Sequence, residues 1–109
     1  MTRGICILGA TGSIGKSTLD VLARHPERFH VLVLTANRRV EEMAALCRQY
    51  QPKLAVMRDA AAARRLREAL ADQPGIKVTG GEEALQEAVT YPGVDEVMAV
   101  NAPGLRGVL

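Results

Sequence analysis

Residues 9–18 read GATGSIGKST, and two kinds of phosphate-binding loop compete for that stretch. One kind needs glycine, four residues, then Gly-Lys-Ser/Thr, so that backbone amides close around the phosphates of ATP. Gly15-Lys16-Ser17 supplies its second half. The glycine that should stand five positions before Gly15 is Ala10, and Gly9 lies one position too far back. The magnesium-holding carboxylate of such a site has only Asp59 as a candidate, and Asp59 reads better as a helix cap. The other kind is the dinucleotide loop. Gly9, Gly12 and Gly15 are spaced G-x-x-G-x-x-G, a relative of G-x-G-x-x-G. One glycine lets the chain turn sharply, one lets the backbone approach a pyrophosphate, and one lets the helix pack close to the strand. Thr11 and Ser13 add hydroxyls, and the amides of Gly12, Ser13 and Ile14 aim from a helix N-terminus at the phosphates. A glycine-rich turn with no ligand is the alternative. Lys16 either reaches a phosphate or, as expected here, carries its charge to solvent on its long stem.

Outward from the loop, apolar and amphipathic runs alternate. Ile5 to Leu8 reads as a strand closed by Gly9. Ser13 to His25 reads as a helix with Ile14, Thr18, Val21 and Leu22 on its inner face, ended by Pro26. His30 to Ala36, HVLVLTA, is apolar without alternation, as in a strand covered on both faces. Val40, Met43, Ala44 and Cys47 recur at helical spacing before Pro52, and LAVM (54–57) makes a third strand. Asp59 caps a third helix, with Leu66 and Leu70 inward and Arg64, Arg65, Arg67 and Glu68 in water. Ile76 to Thr79 is a fourth strand. Gly81 opens a fourth helix with Glu82 and Glu83 in its first turn, where the dipole favours acid. A fifth strand lies within Val94 to Val100, and Asn101 to Leu109 reads as a loop and the start of a fifth helix. Every proline falls at an element end. Repeated β-α units with right-handed crossovers make an α/β, doubly wound parallel sheet, Rossmann-like, with expected strand order 3-2-1-4-5.

Composition agrees with that architecture. The 109 residues are 48% hydrophobic but only 3% aromatic, so the core is aliphatic. Fourteen basic against 12 acidic residues leave a net charge of +2, too even for general nucleic-acid affinity. Cys6 and Cys47 share no metal-like spacing and read as buried, reduced thiols of a cytoplasmic protein. No signal peptide and no membrane span is read.

The end of the second strand selects the dinucleotide. An acid there, roughly 20 residues past the loop, would bind a ribose 2′-hydroxyl. The chain instead reads Asn37-Arg38-Arg39, with no carboxylate before Glu41. Paired guanidiniums match a 2′-phosphate, so NADP, as NADPH, is the expected cofactor. A solvated arginine pair ahead of a helix is the alternative reading.

With these residues placed, ILGATGSIGKSTLDVLARHPERF (7–29) resembles the N-terminal part of the 1-deoxy-D-xylulose 5-phosphate reductoisomerase family. The likeness continues through PKLAVM and through Asp95-Glu96-Val97-Met98-Ala99. The resemblance implies an oxidoreductase and isomerase of isoprenoid biosynthesis, on the methylerythritol phosphate route. Its members rearrange 1-deoxy-D-xylulose 5-phosphate and reduce it to 2-C-methyl-D-erythritol 4-phosphate. They use NADPH and a divalent metal (Mg or Mn), and act as homodimers. Carried onto this chain, the pyrophosphate contacts fall on Thr11, Gly12, Ser13 and Ile14, and the 2′-phosphate contacts on Asn37, Arg38 and Arg39. The family commonly reads glycine, a basic residue, then asparagine where this chain has Asn37-Arg38-Arg39, so Arg39 departs from it. Around Val100-Asn101-Ala102-Pro103 the chain also reads shorter than the family, and no site is assigned there. Residues 1–109 are expected to be an NADPH-binding domain, truncated, with metal ligands, phosphosugar-substrate residues and catalytic residues all outside it. The fragment alone is expected to be inactive. Two other readings remain: an NADP-dependent dehydrogenase of another type, such as the aspartate-semialdehyde kind, or a non-catalytic NADP-sensing module.

Overall fold

The computed structural model describes residues 2–99. The loop and helix start expected over Asn101 to Leu109, and Val100 at the end of the fifth strand, lie outside them. Five strands alternate with four helices: β1 (Arg3–Leu8), α1 (Ser13–Ala23), β2 (Phe29–Ala36), α2 (Val40–Tyr50), β3 (Leu54–Met57), α3 (Ala60–Ala69), β4 (Lys77–Gly80), α4 (Ala84–Val89) and β5 (Val94–Ala99). All neighbouring strands pair in parallel, in the order β4-β3-β2-β1-β5.

The parallel α/β class is as expected, but the strand order differs from 3-2-1-4-5. The fourth strand lies outside the third, and the fifth takes the place beside the first. The cause is local. A Cβ on Gly80 would come within 2.3 Å of the Ala63 Cβ, so α3 lies directly upon β4. Arg67 reinforces the contact by donating from Nη2 to the Val78 carbonyl at 2.9 Å. The short β4, with Lys77 exposed, also suits a sheet edge. β5 is fastened to β1 where Gly4 N donates to the Asp95 carboxylate at 2.8 Å.

This order divides the helices. The steps from β1 to β4 all run the same way, so right-handed crossovers place α1, α2 and α3 on one face. The return from β4 to β5 places α4 on the other, against β2 and β3. Ile5, Ile7, Leu34, Ala55 and Met57 meet Leu19, Met43 and Leu66 on the first face. Cys6, Val33, Leu54 and Val56 meet Ala84 and Ala88 on the second. Period-two alternation along β1 and β3 feeds both cores, which is why these strands read as unbroken apolar runs.

Two helices depart in detail from their sequence patterns. α1 buries Gly15, Leu19 and Leu22, while Ile14 and Val21 are 58% and 53% exposed. Of the expected inner face, Leu22 is buried and Thr18 half-buried, but Ile14 and Val21 are turned outward. α4 begins at Ala84, with Glu83 at its N-cap and Glu82 ahead of it, paired to Arg58 at 3.0 Å. Asp59 does occupy the N-cap of α3, but its side chain makes no capping hydrogen bond.

Candidate functional site

The direction change between β1 and β5 creates a switch point at the carboxyl ends of the strands, where open α/β sheets bind ligands. The glycine loop stands there. Gly9 leaves β1 with φ of 82°, in the region that side chains rarely adopt. Gly9 N and Ala10 N both donate to the Thr35 carbonyl, at 3.1 and 2.8 Å, and Thr35 Oγ1 lies 3.3 Å from Gly9 N. Thr35, only 3% exposed, therefore ties the loop to β2. The sequence signal is a lone hydroxyl in the otherwise aliphatic run VLVLTA (31–36), which the strand's apolar character masks.

Gly12 is the N-cap of α1, in an extended conformation, with no side-chain cap. Gly12 N, expected to aim at the ligand, donates instead to Gly9 O at 3.4 Å, whereas the amides of Ser13, Ile14 and Gly15 have no backbone acceptor among the described residues and are left unsatisfied. Gly9 makes the sharp turn and Gly15 the close helix packing expected of two of the glycines. A Cβ on Gly15 would press against the carbonyl oxygens of Gly9 and Ala10, at 2.6 and 2.7 Å. A Cβ on Gly12 would find nothing nearer than Gly9 O at 3.8 Å. The space over Gly12 is open to a ligand, and free donors and a helix dipole there favour an anion.

Asn37, Arg38 and Arg39 form the turn between β2 and α2, and all three are exposed. Arg58 N donates to Ala36 O at 2.8 Å and Asp59 N to Asn37 O at 3.2 Å, which holds this turn against the end of β3. A cleft of about 280 Å³ runs along the strand ends, touching Gly9, Ala36, Asn37, Arg58 and Leu85. A second cleft, of about 400 Å³, is lined by Arg38, Arg39, the first turn of α2 and Arg65 from α3. The loop and the arginine turn thus share one end of the sheet. Where a hydroxyl-binding acid would stand is Asn37 instead.

Lys16 does not carry its charge free into solvent. Its Nζ pairs with Glu42 on α2 at 2.9 Å, and Arg39 Nη1 reaches the other oxygen of Glu42 at 3.2 Å. The hydrogen bond from Lys16, then its charge and that of Arg39, holds the Glu42 carboxyl below its ordinary range. Arg65, read from the sequence only as facing water, and Glu42, not singled out there, both line the cleft, because nothing local marks which of several charged residues on a helix faces a neighbouring loop.

Other chemistry-bearing residues stand apart. Burial pushes the Cys6 thiol up to about 11 and the Cys47 thiol up to about 12, so neither is a ready nucleophile. His30 is exposed on β2, bonded through Nδ1 to Thr2 Oγ1 at 2.6 Å, and His25 is exposed just past α1. Among the described residues, no three His, Cys, Asp or Glu side chains gather as a metal site. Nor is any described helix long and apolar enough to cross a membrane.

Residues 5–109 match the sequence pattern of 1-deoxy-D-xylulose 5-phosphate reductoisomerase. The reductoisomerase of Acidithiobacillus ferrooxidans is 59% identical over 113 residues, which take in 100% of this chain and 29% of that protein. That of Ralstonia nicotianae is 54% identical over 108 residues, 96% of this chain and 28% of the relative. The chain therefore spans less than a third of the length of these relatives. Among solved structures, the Zymomonas mobilis reductoisomerase in complex with NADPH superposes with a TM-score of 0.78 at 40% identity, over 85% of this chain and 24% of that one. A reductoisomerase in complex with NADPH, fosmidomycin and magnesium gives 0.81 at 32% identity, over 87% and 23%. With match and fold in agreement, the chain belongs to the 1-deoxy-D-xylulose 5-phosphate reductoisomerase family.

Proposed function

We propose that this chain is the NADPH-binding part of an enzyme that rearranges 1-deoxy-D-xylulose 5-phosphate and reduces it to 2-C-methyl-D-erythritol 4-phosphate. The observation that carries the reading is the juxtaposition of unsatisfied amides at the start of α1 with arginines at the end of β2. Thr11, Gly12, Ser13 and Ile14 surround the pyrophosphate, whose oxygens accept from the free amides. Asn37, Arg38 and Arg39 receive the adenosine 2′-phosphate, matched by guanidinium forks. The open space over Gly12 and the absence of an acid at Asn37 both fit that cofactor. NADPH, when bound, supplies the hydride for the reduction.

The same reading makes the natural enzyme a cytoplasmic homodimer acting on a phosphosugar with a divalent metal, Mg or Mn. The metal and the substrate are held by residues other than 1–109, and this stretch by itself catalyses nothing. Relatives solved with NADPH and with magnesium support the assignment.

The test is calorimetric titration of NADPH and NADH into the natural polypeptide carrying these residues, and into its Arg38→Ala/Arg39→Ala variant. The parent is expected to prefer NADPH and the variant to lose that preference. An unchanged preference in the variant would make the arginines bystanders, and a parent that binds neither coenzyme would end the reading.

A further inference from the structure

We propose that Arg65, on α3, is a third guanidinium of the adenosine 2′-phosphate site, joining the two from the turn after β2. The proposal rests on the NADPH reading above and names a contact from a different element.

Helix phase places Arg65 there. Leu66 is wholly buried and points into the sheet. Residues on either side of it lie about 100° away in opposite directions. Arg67 turns towards β4, where it donates to the Val78 carbonyl. Arg65 must then turn the other way, towards α2, and it lines the cleft that Arg38 and Arg39 also line.

Charge balance argues for its use. A phosphate monoester carries nearly two negative charges at neutral pH. Arg39 is already engaged by Glu42 at 3.2 Å, and Glu42 is shared with Lys16. Four arginines elsewhere are engaged by carboxylates: Arg3 by Glu96, Arg24 by Asp20, Arg48 by Asp72 and Arg58 by Glu82, while Arg28 lies over the Phe29 ring. Among the described residues, Arg38 and Arg65 have no carboxylate within ion-pair distance, although Glu41 and Glu42 of α2 line the same cleft. Two uncommitted guanidiniums facing one cleft are the complement of a dianion, and a single one is not. Arg64, one residue earlier on α3, is equally uncommitted but does not line the cleft, which makes it the internal control.

The experiment compares Arg65→Ala, Arg64→Ala and Arg38→Ala/Arg39→Ala in the natural polypeptide, titrated with NADPH and NADH at low and high salt. Arg65→Ala is expected to weaken NADPH binding by about tenfold, the scale of one charge-assisted contact. It should leave NADH affinity unchanged and flatten the salt dependence for NADPH. Arg64→Ala should change neither. Equal behaviour of Arg65→Ala and Arg64→Ala, with preference lost only in the double arginine variant, would overturn this inference and leave the NADPH reading standing. Equal loss of both coenzymes by Arg65→Ala would assign the residue a structural role and overturn it as well. A parent without preference for NADPH would remove both.

Discussion

A methyl group on Gly15 would stand 2.6 Å from the carbonyl oxygen of Gly9. No side chain fits there, because the opposing atom is backbone and cannot rotate away. Gly15→Ala should therefore push α1 off the loop, costing about 1–3 kcal/mol as overpacking does, even after the gain in helix propensity. Gly12→Val makes the contrasting case. Its side chain would enter open space, so the folded state should lose only about 1 kcal/mol through the poorer N-cap. NADPH affinity should nonetheless fall severely, because the branched side chain occupies the pyrophosphate position. Urea denaturation and coenzyme titration of both variants separate the two roles. Unaltered NADPH affinity in Gly12→Val would displace the proposed site.

The same close contact explains how far the sequence could be read. Strand and helix positions were legible because unbroken apolar runs and helical spacing are local. The inner face of α1 was only partly legible: of Ile14, Thr18, Val21 and Leu22, which share a helical face in the sequence, Leu22 is the one that is buried. Gly15 must face the loop carbonyls, and that requirement turns Leu19 and Leu22 inward and leaves Ile14 and Val21 outside. A tertiary contact outranked the pattern. Strand order failed for a similar reason. Nothing within Lys77–Gly80 names its neighbour, whereas the Gly80–Ala63 approach, which selects β3's outer side, exists only once α3 has docked. The site divided likewise. Of the proposed site, Gly12, Arg38 and Arg39 stand where spacing after a strand puts them, while Arg65 and Glu42 reach the same cleft from helices.

Glu42 gives a prediction of opposite sign. Its carboxylate holds Lys16 and Arg39, the cations that flank the two proposed phosphate positions. Removing that charge should release both and reduce repulsion towards the coenzyme. Glu42→Gln is expected to tighten NADPH binding on the order of three- to tenfold at low salt, as one fewer nearby like charge implies in high dielectric. The gain should shrink as salt is added, with a smaller gain for NADH. Weaker NADPH binding in this variant would mean that Glu42 orders Arg39 for the ligand rather than competing with it.

Acid should loosen the junction of α2 and α3. Arg48 donates through Nη1 and Nη2 to the two oxygens of Asp72 at 3.0 and 2.8 Å, and also reaches the Ala69 carbonyl. The hydrogen bonds from Arg48 hold the Asp72 carboxyl below its ordinary range. A depressed carboxyl stabilises the fold above its unfolded-state value and ceases to do so as pH falls through the folded one. The contribution should therefore begin to fade below about pH 4 and be gone once pH has fallen past the lower folded value. Asp72→Asn should lower the urea midpoint near neutral pH, and its midpoint should converge with the parent's in acid. Parallel curves at all pH values would show that this exposed pair adds nothing to stability.

Alkali acts through the cysteines in the opposite sense. Cys6 and Cys47 are wholly buried, and burial raises their thiols to about 11 and about 12. In the unfolded chain both ionise from about pH 8.5. Between those values the unfolded state sheds protons that the folded state retains. Folding stability should then fall as pH rises, by about 1.4 kcal/mol per pH unit for each thiol at full effect. Below the unfolded value the stabilisation is complete, and above the folded value it is gone. Cys47→Ala should reduce the alkaline slope while costing some packing at every pH, since a small cavity opens between α2 and the sheet. Thiol reagents supply an independent check. At mildly alkaline pH the native protein should react only as fast as it unfolds, and rapid labelling of either cysteine without denaturant would contradict the burial argument.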